Sequence, residues 1–487
     1  MHNIQSIKVS NKRLTEEEFL KIRKEEVLPM WETGKEIENL DQCVEYAKQM
    51  PESKNMALQL VKAKEEKRFI AISHFGRATV DFMTEGIEYT EGNTGADAGN
   101  HNWFIEGDTY TRKCKYTEAA KGLERSKKDG VSYLNGWPVV CYGVKEARRL
   151  NETAKSPLSY NGSDEDARLA TEIILAGGWT GTSAHALENG IAHTKDVPLE
   201  NLIRYTQYKA RLAAYYTERG VPINVQNGCP GTGYDSNGYT SFAVVSESLL
   251  DAEQGVKYEH LVLPPSLNMI QDIAAMRVTE RLAAEYCHKA GYKDIHFICG
   301  AYPYIGPWPQ DSHAAGAMIC QNAISCILGN ITGFLLKSIE EAWGLPTKEG
   351  VATSLHYVFQ LLRVMGTQRM PESKELEIEE KMLELEVRSL MERVLDLGDG
   401  DIAKGLCMGV EMGLVDTMVT PWKYNKGNVL NIRDAEGCTR YLEKGNLPLP
   451  EEVVEFHRQK IAEREKREKR KADIKMVIDD MTFVSRA

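Results

Sequence analysis

The chain lacks several features that would commit it to a class. No stretch approaches the run of about 18 apolar residues needed to span a bilayer. The opening MHNIQSIKVSNKRL is too polar for a secretory signal, so a cytoplasmic protein is expected. Cys-x-x-Cys pairs and zinc-like cysteine–histidine spacings are also absent. The ten cysteines, at positions 43, 114, 141, 229, 287, 299, 320, 326, 407 and 438, read as free buried thiols, and no metal ligands are expected. Basic charge is in deficit: 60 Lys+Arg stand against 71 Asp+Glu, a net charge of −11, which argues against nucleic-acid binding. The basic run REKREKRKADIK (464–475) is interleaved with acids and reads as a solvated helix. Gly-x-Gly-x-x-Gly, Gly-x-Ser-x-Gly, His-Glu-x-x-His, a Walker loop and internal repeats are missing too.

What is present is a soluble composition, 42% hydrophobic and 27% charged over 487 residues, enough for one large barrel or two to three smaller domains. From about residue 66, short apolar runs alternate with amphipathic helical stretches. The runs are RFIAIS (68–73), WPVVCYG (137–143), VPINVQ (221–226), YEHLVLP (258–264), DIHFICG (294–300) and ITGFLLK (331–337). Six to eight such units over roughly 300 residues predict an α/β chain, a (β/α)8 TIM barrel over 66–370, with a doubly wound sheet as the alternative. Residues 1–65 read as a helical, charged, peripheral N-terminal segment, and 371–487 as an α-rich C-terminal extension. In the latter, Leu383, Val387, Leu390, Val394 and Leu397 share one seam of a long helix, either a dimer contact or a face packed on the barrel.

Catalytic groups of such barrels lie at the C-terminal ends of strands. That rule selects Arg77, Asn135, GGWT (177–180), Trp308 and Lys337. Lys337 and Glu341, four apart, lean to one side if a helix begins near Ser338; a plain surface ion pair is the alternative. Arg77 and Arg112 suit carboxylates through the bidentate guanidinium fork, although most arginines are surface charges. CPGTGYDSNG (229–238) is glycine-rich; without a following Lys-Ser/Thr it reads as a tight loop rather than an anion cradle.

Read in order, these stretches resemble the barrel-forming epsilon subunit of glutamate mutase (methylaspartate mutase). The resemblance is carried by YLNGWPVVCYGVK (133–145), ATEIILAGGWT (170–180), AEQGVK (252–257), NMIQDIAAMR (268–277), WPQD (308–311), LPTKE (345–349), QRMPESKELE (368–377), KYNKGNVLNIRDAEGCTRYLEKGNLPLP (423–450) and MVIDD (476–480). It implies an isomerase subunit that uses adenosylcobalamin for a radical rearrangement of L-glutamate to 3-methylaspartate. It further implies a small cobalamin-binding sigma-type partner and a homodimer of this chain within a heterotetramer. By similarity Arg77 and Arg112 grip substrate carboxylates. Thr79, Asn135, Ala192, Trp308, Lys337, Glu341 and Leu345 line the cofactor, with Lys337 and Glu341 as catalytic positions that hold the ribose.

The departures cluster on the substrate side. Asn161 stands where the family has the third arginine of its carboxylate claw. Ser183, Asn189 and His193 stand where it has a substrate-binding glutamate and two tyrosines, and Thr79 replaces a glycine. Three readings follow: a glutamate mutase, the same chemistry on a different short acid, or a non-catalytic paralogue. The segment QDSHAAG (310–316) spells Asp-x-His-x-x-Gly, the signature of domains that hold cobalamin with a histidine under the cobalt. In this resemblance that histidine belongs to the small subunit, and no cobalamin-binding Rossmann-like domain follows here, so His313 reads as a coincidental match.

Overall fold

The computed structural model of the chain describes residues 7–163, 165–228 and 233–486. Eight parallel strands close into a barrel in sequential order: β1 (Ile70–Phe75), β2 (His101–Glu106), β3 (Leu158–Asn161), β4 (Gly181–Ser183), β5 (Asn224–Asn227), β6 (Tyr258–Leu263), β7 (His296–Ala301) and β8 (Gly333–Leu336), with β1 bonded to β8. The doubly wound alternative is thereby excluded. Strand alternation sends Ile70, Ile72, Phe104, Val262, Ile298 and Leu335 into one lumen cluster. The helix Met56–Glu65, capped by Asn55 accepting from Leu58 N at 3.0 Å, adds Met56, Leu60 and Ala63 to that cluster and closes the N-terminal end of the barrel. Phe19, Val27 and Ile37 are also buried among barrel residues, so the N-terminal segment is built into the core rather than peripheral.

One expected strand is not one. WPVVCYG (137–143) supplies only an isolated bridge from Trp137 to Gly107 and then enters the helix Val139–Thr153, with Pro138 at its cap. A proline needs no partner for an N–H at a helix start. Of the two readings of the C-terminal seam, packing on the barrel is the one adopted: Leu383, Val387, Leu390 and Val394 of the helix Lys374–Leu397 are buried with residues of the helices Asn237–Gln254 and Met269–Lys289, while Leu397 at its end is half-buried. The extension also carries an antiparallel hairpin, β9 (Leu430–Arg433) and β10 (Thr439–Glu443). The basic run does not stay in one helix, since the helix Glu451–Glu468 stops before left-handed Lys469. The described cysteines are free, and Cys229, with the next three residues of the glycine-rich loop, lies outside the described residues. No described helix is long and apolar enough to cross a membrane.

Polar side chains are also enclosed in the lumen, Asn102 and His260 each one inward step below apolar Phe104 and Val262. Asn102, Gln226 and His260 are buried with none of their side-chain N or O atoms hydrogen-bonded to described residues. Gly300 and Gly333 make room for His260, because a Cβ at either would collide with its Nε2.

Acids are buried beside this wall. Glu247 accepts from the backbone N–H of Ala186 (3.1 Å) and Leu187 (2.6 Å) and, like Glu259, is pushed up to about 8 by burial. A carboxyl raised in the folded state binds its proton more tightly there than in the unfolded chain. Its contribution to stability is therefore complete below the unfolded value near 4.5 and is lost as pH rises through about 8. The Tm is expected to fall between pH 6 and 9, and Glu247→Gln to flatten the fall. A Tm constant across that range would mean these carboxyls are buried as anions.

Candidate active site

Two groups of side chains meet at the C-terminal mouth of the barrel. The first is assembled by β2, β3 and the segment after β4. Glu106 is the last inward residue of β2, and its Oε1 accepts from Arg112 Nη1 at 2.5 Å. Arg112 ends the turn Thr109–Arg112, whose start is capped by Asp108, and it donates Nε to the Ser163 carbonyl at 3.2 Å. Glu106 Oε2 accepts from Asn161 Nδ2 at 2.7 Å; Asn161 Oδ1 accepts in turn from the Ser163 hydroxyl at 2.6 Å. Ser183 Oγ accepts from Gly162 N at 2.6 Å and so latches the loop after β3. From the π-helical turn Asn189–His193, His193 Nδ1 lies 3.2 Å from Arg112 Nη2, and its Nε2 lies 3.6 Å from Glu188. Asn189 is buried and donates to the His185 carbonyl at 2.9 Å. Ala192 is half-buried in the same turn.

Electrostatics fix the protonation of this group. Glu106 is held below the ordinary carboxylate range: burial opposes its charge, but the Arg112 guanidinium and the Asn161 amide outweigh it. His193 is pushed down to about 3 by burial and by Arg112, and His74 to about 4 by burial, with Lys337 adding to the effect against Glu106. Both histidines are neutral at physiological pH.

The second group lies on β8 and β1. Lys337 follows β8, and its Nζ contacts Glu341 Oε1 at 2.5 Å, with Glu341 opening the short 3-10 turn Glu341–Trp343. The pair forms as the four-residue spacing implies, across a turn instead of a regular helix. Arg77 follows β1; its guanidinium has no hydrogen-bond or ion-pair partner among the described residues, although Glu340, Glu349 and Glu85 lie near enough to favour its charge against the cost of burial. Thr79 caps the helix Val80–Thr94 by accepting from Phe82 N at 3.3 Å. Leu345 is half-buried beyond the 3-10 turn. Trp308 is buried and donates its indole N–H to the Tyr304 carbonyl at 2.8 Å. Asn135 is exposed and accepts from Thr109 N at 2.9 Å, leaving its Nδ2 without a described partner. His74, the inward residue of β1 between the two groups, has its ring centroid 4.8 Å from that of Phe104 in a tilted arrangement, and its Nε2 has no hydrogen-bond partner among the described residues. Sequence reasoning missed Glu106, His74 and Glu188. For His74 the signal existed, since extending β1 two residues past Ser73 continues the inward alternation of Ile70 and Ile72.

His313 is outside both groups. It is exposed on the first turn of the helix Ser312–Gly329, where Asp311 caps Ala314 N at 2.8 Å. Gly316 allows close approach of a neighbouring helix, a Cβ there meeting Tyr357 at 2.8 Å. The Asp and Gly of the motif thus have helix-capping and packing roles in the barrel.

Lys337 just after β8 and Glu341 on the turn that follows thus set a hydrogen-bond donor and an acceptor side by side at the mouth. No group of three or more His, Cys, Asp or Glu side chains placed to hold a metal ion occurs among the described residues.

The chain is similar in sequence to known proteins. Residues 50–487 match the family described as Methylaspartate mutase E chain (MutE). The chain is 37% identical over 481 residues to the glutamate mutase epsilon subunit of Desulfitobacterium hafniense, covering 98% of both chains. It is 35% identical over 478 residues to that of Treponema denticola, covering 98% of this chain and 97% of the relative. The figure is also 35% over 480 residues for that of Escherichia coli O157:H7, covering 98% of both. With a family match over most of its length and relatives above 30% identity from end to end, this chain belongs to the methylaspartate mutase E chain family.

Proposed function

We propose that the chain is the substrate- and adenosyl-binding barrel of an adenosylcobalamin-dependent carbon-skeleton mutase. It acts on a short amino acid related to glutamate and works with a separate sigma-type subunit that carries the cobalamin. The observation that carries this reading is the Lys337–Glu341 pair at the end of β8, two strands round the mouth from the Arg112 group with β1 between them. When bound, the cofactor supplies a carbon radical able to take hydrogen from an unactivated C–H bond. The chain's own residues position and shield. Lys337 donates to and Glu341 accepts from the ribose, Arg112 holds the substrate carboxylate, and the closed barrel keeps water from the reacting atoms. Tyr110, Tyr133 and Trp343 are exposed on loops around the mouth, which suits a face covered by the partner.

The second reading, a changed substrate, is favoured by Glu106 hydrogen-bonded to Asn161: an anion and an amide stand where the family's claw has its third cation. L-Glutamate is therefore expected to be a poor substrate beside amino acids with an uncharged far end.

The test mixes the chain with its sigma-type partner and adenosylcobalamin and adds short amino acids. The expected result is a substrate-dependent cobalt electron paramagnetic resonance signal split by a histidine nitrogen, persisting in His313→Ala. No signal with any substrate would defeat the mutase reading. Loss of the nitrogen splitting in the variant alone would make His313 the cobalt ligand.

A further inference from the structure

The barrel mouth holds one ionised side chain that the family resemblance does not assign. We propose that Glu106 is a substrate-binding residue that receives the ammonium group of an α-amino acid, while Arg112 beside it takes the adjacent carboxylate. This deepens the reading of the mouth as the substrate site and rests on it.

Geometry carries the argument. Glu106 ends β2 facing inward, and about a quarter of its side chain, like that of Arg112, remains accessible. Arg112 occupies one lobe of Oε1 and Asn161 one lobe of Oε2. A carboxylate has about four acceptor lobes, so two stay open. Asn161 is fixed in turn by the Ser163 hydroxyl and backbone N–H, which hold the carboxylate in one orientation. His74 Nδ1, 3.9 Å from Oε2, belongs to a neutral ring and leaves the negative charge for a ligand.

A side-by-side carboxylate and guanidinium match a zwitterionic amino-acid head, in which ammonium and carboxylate are likewise adjacent and opposite. Ser183, where the family keeps a carboxylate, is occupied by the Gly162 N–H and has no charge to offer an ammonium. Glu106 thus supplies from β2 what β4 lacks. The same carboxylate repels a second carboxylate at Asn161, and the substrate class is a short α-amino acid with a single carboxylate.

The test is calorimetric titration of the full chain, without cofactor or partner, with L-norvaline, valerate and glutarate. The parent is expected to bind norvaline roughly tenfold or more tightly than either acid, the scale of one charge-assisted hydrogen bond. In Glu106→Gln that preference should collapse to within about twofold, and glutarate should gain affinity as Arg112 is released. Glu106→Asp, which keeps the charge, should retain the norvaline preference and covers the case in which the glutamine variant fails to fold. An undiminished preference in folded Glu106→Gln, a lost preference in folded Glu106→Asp, or none in the parent overturns the proposal. Because these readouts need no cobalamin, they stand apart from failure of the mutase reading, which the cobalt signal reports.

Discussion

Replacing Arg112 by glutamine is expected to lower kcat/KM for the amino-acid substrate by about 30- to 150-fold, mostly through KM. Arg112 is the cation of the β2–β3 group, in contact with Glu106, the Ser163 carbonyl and His193. Removing one partner of a hydrogen-bonded charge pair costs about 2–3 kcal/mol where the pair is only partly buried. Two losses are combined: the substrate carboxylate loses its cationic partner, and Glu106 keeps its charge without its counter-ion. The second loss has its own signature. A Tm decrease in Arg112→Gln should be relieved in the Arg112→Gln/Glu106→Gln double variant, while KM should not recover. An unchanged KM in the single variant would remove Arg112 from substrate binding.

For Glu341→Gln and Lys337→Ala the expected effect is of similar size but falls on kcat. Their contact at 2.5 Å puts a donor and an acceptor at the end of β8, with Lys337 the more buried of the two. Hydrogen bonds to a ribose that strengthen as the adenosyl group moves toward substrate act on the barrier rather than on ground-state binding. Charge-assisted bonds of this kind are worth roughly 1.5–3 kcal/mol, or about ten- to a hundredfold in rate. Stopped-flow absorbance of the cofactor on substrate addition reads that step directly. Parent-like rates in both variants would leave the pair a structural ion pair and nothing more.

Strands with branched or aromatic runs could be read from local pattern: β1, β5, β6, β7 and β8 each lie within or overlap an expected run. The strands that escaped are short or polar. HNWFIE in β2 sends Asn102, Phe104 and Glu106 inward, while LSYN and GTS carry too few apolar residues to signal a strand. Their inward ends, such as Glu106 and Asn161, line the mouth instead of the apolar lumen. WPVVCYG misled for the opposite reason, an apolar run whose proline starts a helix.

The site divides along the same line. Lys337 and Glu341 lie four residues apart, so the chain itself brings them together and sequence spacing alone points to their pairing. Residue type alone marks Arg112 as a carboxylate-binding candidate, and the family resemblance repeats it, but nothing local ties it to Glu106's second partner Asn161, 55 residues beyond Glu106, or to His193, 81 residues beyond Arg112. Those contacts exist because β2, β3 and β4 are neighbours in a closed sheet whose loops leave from one end. Periodicity in a sequence encodes which face a residue takes within its own strand. Closure of the barrel decides which faces meet, and with them the protonation of Glu106, His74 and His193, since burial and the nearest charge set a pKa and both are properties of the assembled wall.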